Sequence, residues 1–344
     1  MLIPSDRAPD GTRQRATLRW LAILGGVVLL VWLLSGIVLL IFMAVLLAAI
    51  LRGVADWAAR HTGVSRSAML AIVTVGVAVI VAAFLYYIGP RLIDESQALY
   101  QRVMQTADSL CATYGNTQWG KSVFHLFSQQ QSTQSAIPSD LGTVAASTLD
   151  IVVKALILLV TALYFAISPD LYIGGVVRLF PPPYRPRART VLERIGQTLQ
   201  WWSLGQLVDM VVVGVLTGIG LLILGIPLAL ALAVIAGVFT FVPYFGAIAA
   251  AVPAALVAFT VSWQSSLWVV AIFLICHGIE GYLVSPLVQR NTVRLPPAVT
   301  ILSMTIFGAL FGPPGVILGA PIAAALLVLT REVYVGDVLG DPER

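Results

Sequence analysis

Charge is the scarcest property of this 344-residue chain. Asp, Glu, Lys and Arg make up 10% of it, against 59% hydrophobic residues. Soluble domains carry about 25% charged residues. A soluble protein this poor in charge lacks the polar side chains to cover its own surface. A soluble enzyme and a nucleic-acid-binding protein are therefore excluded, despite a net charge of +4 and a pI near 9.2. Cysteine is equally scarce. Cys111 and Cys276 fall in segments of different character, which supports neither a disulfide framework nor a cysteine-based metal site. No nucleophile–base set or metal cluster stands out, so the chain reads as a non-enzyme with no cofactor.

What the chain has instead is long apolar runs, with a mean hydropathy of +0.94. A spanning helix needs about 20 apolar residues to cross a hydrocarbon core of about 30 Å. Residues 20–51 carry no charge and are too long for one span, and Ser35-Gly36 is a natural hairpin, giving spans at 20–34 and 37–51. Further spans are expected at 67–88, 149–167, 201–224 and 266–288. The stretches 227–262 and 298–330 are apolar but broken, at Val242-Pro243-Tyr244 and at Gly312-Pro313-Pro314-Gly315. The expectation is an all-α polytopic membrane protein, with about six full spans and two broken or re-entrant helical hairpins, eight crossings at most. The first apolar run is followed by Arg52 rather than a small-residue cleavage site, so a cleavable signal peptide is not expected.

Arginine and lysine set the orientation. With a cytoplasmic N-terminus, sixteen of the 20 basic residues fall inside and only Arg91, Arg102 and Lys121 outside, with Lys154 at a boundary. Both termini are then cytoplasmic. Residues 1–90 form an N-terminal membrane unit and 91–148 an extracytoplasmic helical segment. Residues 149–200 hold the fourth span and a cytoplasmic amphipathic helix over 185–202, striped by Val191, Leu192, Ile195, Leu199 and Trp202. A transport core occupies 201–335 and a tail 336–344.

Gly115, Gly120, Lys121 and Ser122 match the spacing of a phosphate-binding loop. That mechanism needs a strand before the loop and a helix N-terminus after it. Here the preceding residues have helical periodicity and the segment is placed outside, so the match is read as chance and ATP is not expected.

The core reads as two inverted repeats, 201–262 and 266–330. Pro227 and Pro243, like Pro297 and Pro313, are sixteen residues apart. Each second proline precedes a glycine, Gly246 or Gly315. Irregular backbone survives at membrane depth only where protein or a wet cavity covers it. Paired broken segments are therefore pointers to a transport site. Two carboxylates, Asp209 and Glu280, sit inside the long spans that precede the broken units, with Gln206 and His277 one turn before them. A carboxylate in the membrane normally faces a cavity or a partner and marks a pathway. The candidate pathway is thus Asp209, Glu280, Gln206 and His277, with Pro243, Tyr244, Gly246, Pro313 and Gly315 at the bends.

Leu204-Gly205-Gln206, Leu224-Gly225-Ile226-Pro227, Phe241-Val242-Pro243-Tyr244-Phe245-Gly246, Ile279-Glu280-Gly281-Tyr282 with Pro286, and Gly319-Ala320-Pro321 resemble, in order, the signature segments of the autoinducer-2 exporter (AI-2E) family of bacterial permeases. The resemblance covers about residues 160–340 and implies an ATP-independent secondary transporter of the bacterial inner membrane, oligomeric, exporting an autoinducer-2-like metabolite or exchanging sodium for protons. Three functions follow as expectations. The first is a proton-coupled exporter of a small polar or amphipathic metabolite, the second a Na+/H+-type antiporter, and the third a passive channel or membrane scaffold.

Overall fold

The computed structural model describes residues 34–87, 141–284 and 295–340, with isolated positions 98, 101 and 105. The expected span at 20–34, most of the extracytoplasmic segment and the phosphate-loop match lie outside the described residues, as does Cys111. Among the described residues every regular element is a helix. α1 spans Ser35–Thr62, α2 Arg66–Tyr87, α3 Leu141–Ile167, α4 Pro169–Arg178, α5 Arg185–Ile223, α6 Ala229–Phe239, α7 Phe245–Phe259, α8 Trp263–Ile279, α9 Pro297–Phe311 and α10 Pro313–Leu329. A single 3-10 turn at Pro182–Tyr184 precedes α5, and wide π-helical turns extend α8 over Glu280–Val284 and α10 over Thr330–Val338.

Helix ends follow local chemistry. α1 stops at Gly63, whose φ of 70° lets its N–H bond the carbonyl of Ala59. The Ser262 side chain caps α8 by accepting from the Ser265 N–H at 3.0 Å. Prolines at the first turn open α4, α9 and α10.

Two expected boundaries are corrected. The second span does not end at 51. α1 runs on through Arg52 to Thr62, because Arg52, Asp56 and Arg60 lie on a helix that remains apolar on its other face, where Ala55 and Ala59 are buried. Nor is 185–202 a separate helix lying on the leaflet. It is the first half of α5, one uninterrupted 39-residue helix, about 58 Å long at 1.5 Å per residue. Its apolar stripe is real, but protein covers it: Leu199 and Ile195 pack with Leu39 and Leu46 of α1 and Leu318 of α10. The turn following α10 reaches back to α5. Arg187 pairs with Glu332 and Asp337, each at 3.0 Å, and Arg194 also pairs with Glu332.

Among the described residues, four apolar elements are long enough to cross a membrane: α1, α5, α8 with its wide turn, and α10 with its extension; Val153–Ile167 of α3 together with α4 would make a fifth, bent by 84°. α6 with 11 residues and α7 with 15 reach only about 16 and 22 Å. Helices in lipid gain little from hydrophobicity and associate through close van der Waals packing. Small residues permit it here. Gly214 and Gly237 bring the backbones of α5 and α6 together, and a Cβ on Gly237 would lie 2.9 Å from the Met210 carbonyl. Gly319 does the same between α10 and α9, where a Cβ would lie 2.7 Å from the Met304 Cα.

Candidate functional site

The 39-residue α5 acts as a ruler for the two hairpins. α6 runs antiparallel to it. Ala233 lies opposite Gly218, Gly237 opposite Gly214 and Met210, and Thr240 opposite Gln206. The first bend therefore meets α5 near residues 202–206, where the Trp202 and Phe241 rings stand edge to face at 5.8 Å. α10 runs antiparallel to the other half of α5, with Leu318 clustered with Leu199 and Glu332 paired with Arg187 and Arg194. Its bend, at Gly312, precedes Leu318 and so also falls near the middle of α5. The hairpins α6–α7 and α9–α10 thus approach from opposite ends of α5, and their bends converge midway along it.

Both bends are built alike. Tyr244 has φ +63° and Gly312 φ +68°, the left-handed region that reverses a chain most cheaply at glycine. Tyr244 is not glycine and holds this conformation while half exposed. Behind each bend a buried glycine, Gly246 or Gly315, sits directly against a carbonyl of the preceding arm, Phe239 or Phe307; a Cβ there would collide with it. Pro243 is half-buried, and Pro313 is exposed at the start of α10.

The middle of α5 carries a set of buried polar groups. Gln206 donates from Nε2 to the Thr240 carbonyl at 2.6 Å, capping the end of α6 at the first bend. This gives Gln206 a structural task. Asp209, one turn on, is only 2% exposed, and its Oδ1 has no hydrogen-bond partner among the described residues. Ser203 Oγ is in the same condition. Removing a polar group from water without a partner costs about 1–3 kcal/mol by mutational measure, and more for a charge. The fold keeps such a group midway along α5, at the level of both bends.

Glu280 and His277 are half-buried and hydrogen-bonded to each other at 2.6 Å, where α8 loosens into its wide turn. α8 is antiparallel to α5, with Ile272 against Gly220 and Cys276 beside Thr217. This alignment carries Glu280 along α5 toward the level of Asp209. The structure therefore gathers Asp209, Gln206, Glu280 and His277 on facing helices, with Pro243, Tyr244 and Gly246 at the adjoining bend and Pro313 and Gly315 at the opposing one. Among the described residues no three His, Cys, Asp or Glu side chains form a metal-holding group. The sequence reading passed over Ser203, Thr217 and Thr240, all buried. The signal was available, since Ser203, Gln206 and Thr217 recur at helical spacing on the buried side of α5.

Long apolar helices, close-packed through glycine around a small set of buried polar groups, define a multi-pass α-helical membrane protein. The chain belongs to the AI-2E transporter family, whose model matches residues 21–334. It is 35% identical over 151 residues to YrrI of Bacillus subtilis, named as a transport protein, covering 44% of this chain and 43% of that one. It is 29% identical over 173 residues to the permease PerM of Escherichia coli K12, half of this chain and 49% of that one. A transport protein of Mycobacterium tuberculosis, MT0215, is 25% identical over 325 residues, 89% of this chain and 86% of that protein. The matches to YrrI and PerM thus span less than half of either relative's length.

Proposed function

We propose that this protein is a secondary transporter that exports a small polar or amphipathic metabolite, of autoinducer-2-like character, in exchange for protons. It lies in a bacterial inner membrane with both termini cytoplasmic. In this reading the two hairpins are re-entrant, entering from opposite faces, and their bends line the solute path. The observation that carries the proposal is the buried Asp209 carboxyl, whose Oδ1 has no hydrogen-bond partner among the described residues, on α5 at the level of the bends. A carboxyl there changes between a charged form and a neutral form as it exchanges a proton, and only the charged form demands water or a cation. Loading and unloading that proton then biases which side the path opens to. Gln206, by holding the first bend to α5, is the contact that yields when the path opens, and Tyr244 presents a phenol to the solute.

The second reading, sodium–proton antiport, draws on the proximity of Glu280 to Asp209: two neighbouring carboxyl groups suit a cation as well as a proton. Proteoliposomes with an imposed pH gradient separate the readings. A proton-coupled exporter accumulates a member of a small-metabolite panel against its gradient. An antiporter moves protons on addition of Na+ with no metabolite present. A passive channel equilibrates the solute at a rate indifferent to the pH gradient, and that result would remove coupling altogether.

A further inference from the structure

The elbow formed by α4 stands outside the transport core. α3 is 27 residues long, about 40 Å at 1.5 Å per residue, a length that matches a core of about 30 Å without α4. At Ser168 the chain turns by 84° into α4. A helix that leaves a spanning helix at nearly a right angle runs along the membrane surface. α4 has the side chains for that position. Its Ile173 and Val177 sit half-buried, one turn apart, on the side from which it packs against α5. On its open side Leu171 is 70% and Leu179 84% exposed, and Tyr184 beyond is 65% exposed. Three arginines border this apolar strip. Arg189 is paired with Asp170 and Glu193. Arg178 has no acidic partner among the described residues, and Arg185 hydrogen-bonds only carbonyl oxygens there, those of Phe180 and Arg178. An apolar strip bordered by unpaired cations is the pattern of an interfacial helix, which sinks about 5–10 Å into the headgroup boundary and is held by anionic lipid.

We infer that the α4 elbow, residues 167–185, is an interfacial anchor that binds the phosphate headgroups of anionic phospholipid through Arg178 and Arg185. The full-length protein with cysteine at Leu179 alone (Cys111→Ser, Cys276→Ser, Leu179→Cys), labelled with a polarity-sensitive dye and reconstituted in vesicles of phosphatidylcholine with phosphatidylglycerol, tests this. The expected result is a dye shielded from aqueous iodide and quenched by lipids spin-labelled near the headgroup. Spin-labelled phosphatidylglycerol should be effective at about fivefold lower mole fraction than the choline lipid for each contributing arginine. Arg178→Gln should weaken that preference and Arg178→Lys should restore it, while the dye stays shielded from iodide in both. Full quenching by iodide would place the elbow in water and overturn the anchor. Equal quenching by both lipids, or a preference unchanged by Arg178→Gln, would overturn the anionic-lipid site.

Discussion

At the scale of single residues, the structure separates glycines that are needed from those that are not. Gly246 has no room for a Cβ, because the Phe239 carbonyl occupies the space. Gly174, in α4, has nothing within 4 Å of the same position. Gly246→Ala must shift the bend, an overpacking cost of about 1–3 kcal/mol. Gly174→Ala should instead be neutral or stabilising by up to about 1 kcal/mol, since alanine is the better helix former. Thermal unfolding in detergent should show a lowered midpoint for the first variant and an unchanged or raised one for the second. Equal midpoints would mean that the bend is looser than its geometry. The polar residues divide in the same manner. Gln206 is occupied by the Thr240 carbonyl, whereas Asp209 Oδ1 has no such partner, and only the latter is free to serve a proton or a cation.

At the scale of elements, the central relation is the antiparallel seating of α6 on α5. A Cβ built on Gly218 lies 3.0 Å from the Ala233 Cβ, slightly closer than the 3.5–4.5 Å of a disulfide. Gly218→Cys with Ala233→Cys should therefore cross-link under mild oxidation after a small separation of the helices. Its readout is a fragment that stays joined after proteolytic cleavage between α5 and α6. Failure of the pair to cross-link would contradict the register. Much of this architecture was legible in the sequence. The proline–glycine bends at Val242–Gly246 and Gly312–Gly315 interrupt runs that are otherwise helical, and backbone rules alone locate them. The length of α5 was not legible. Charges such as Arg187, Glu193 and Arg194 end the hydropathy signal of a span, yet they do not end a helix. Only the partners Glu332 and Asp337, well over a hundred residues away, reveal what the two arginines face. The α4 elbow was missed for the opposite reason: its ten residues are too few to register as a span, and the 84° turn at Ser168 exists only in three dimensions. The candidate site was half legible. Asp209 and Glu280 are conspicuous as charges in apolar runs, but whether Gln206 was engaged or free depended on where the end of α6 would fall.

At the scale of the whole molecule, α5 organises everything around it. One half receives the first hairpin, the other receives the second, and α8 returns alongside to bring Glu280 toward Asp209. The Arg187 and Arg194 pairs with Glu332 and Asp337 tie the end of the second hairpin to the beginning of the same helix. Both hairpins thus pack against one element, and the polar centre lies on it at the level of their bends. The most direct test of this account is proton flux through proteoliposomes carrying Asp209→Asn, followed with a pH dye trapped inside, against the wild type. Asparagine keeps the size and polarity of the side chain and cannot exchange a proton charge. The account predicts that solute- or Na+-dependent proton movement is abolished, while the variant is inserted and unfolds at the wild-type temperature or above. Proton movement at the wild-type rate, with the same dependence on pH, would show that Asp209 is structural and that coupling does not pass through the middle of α5.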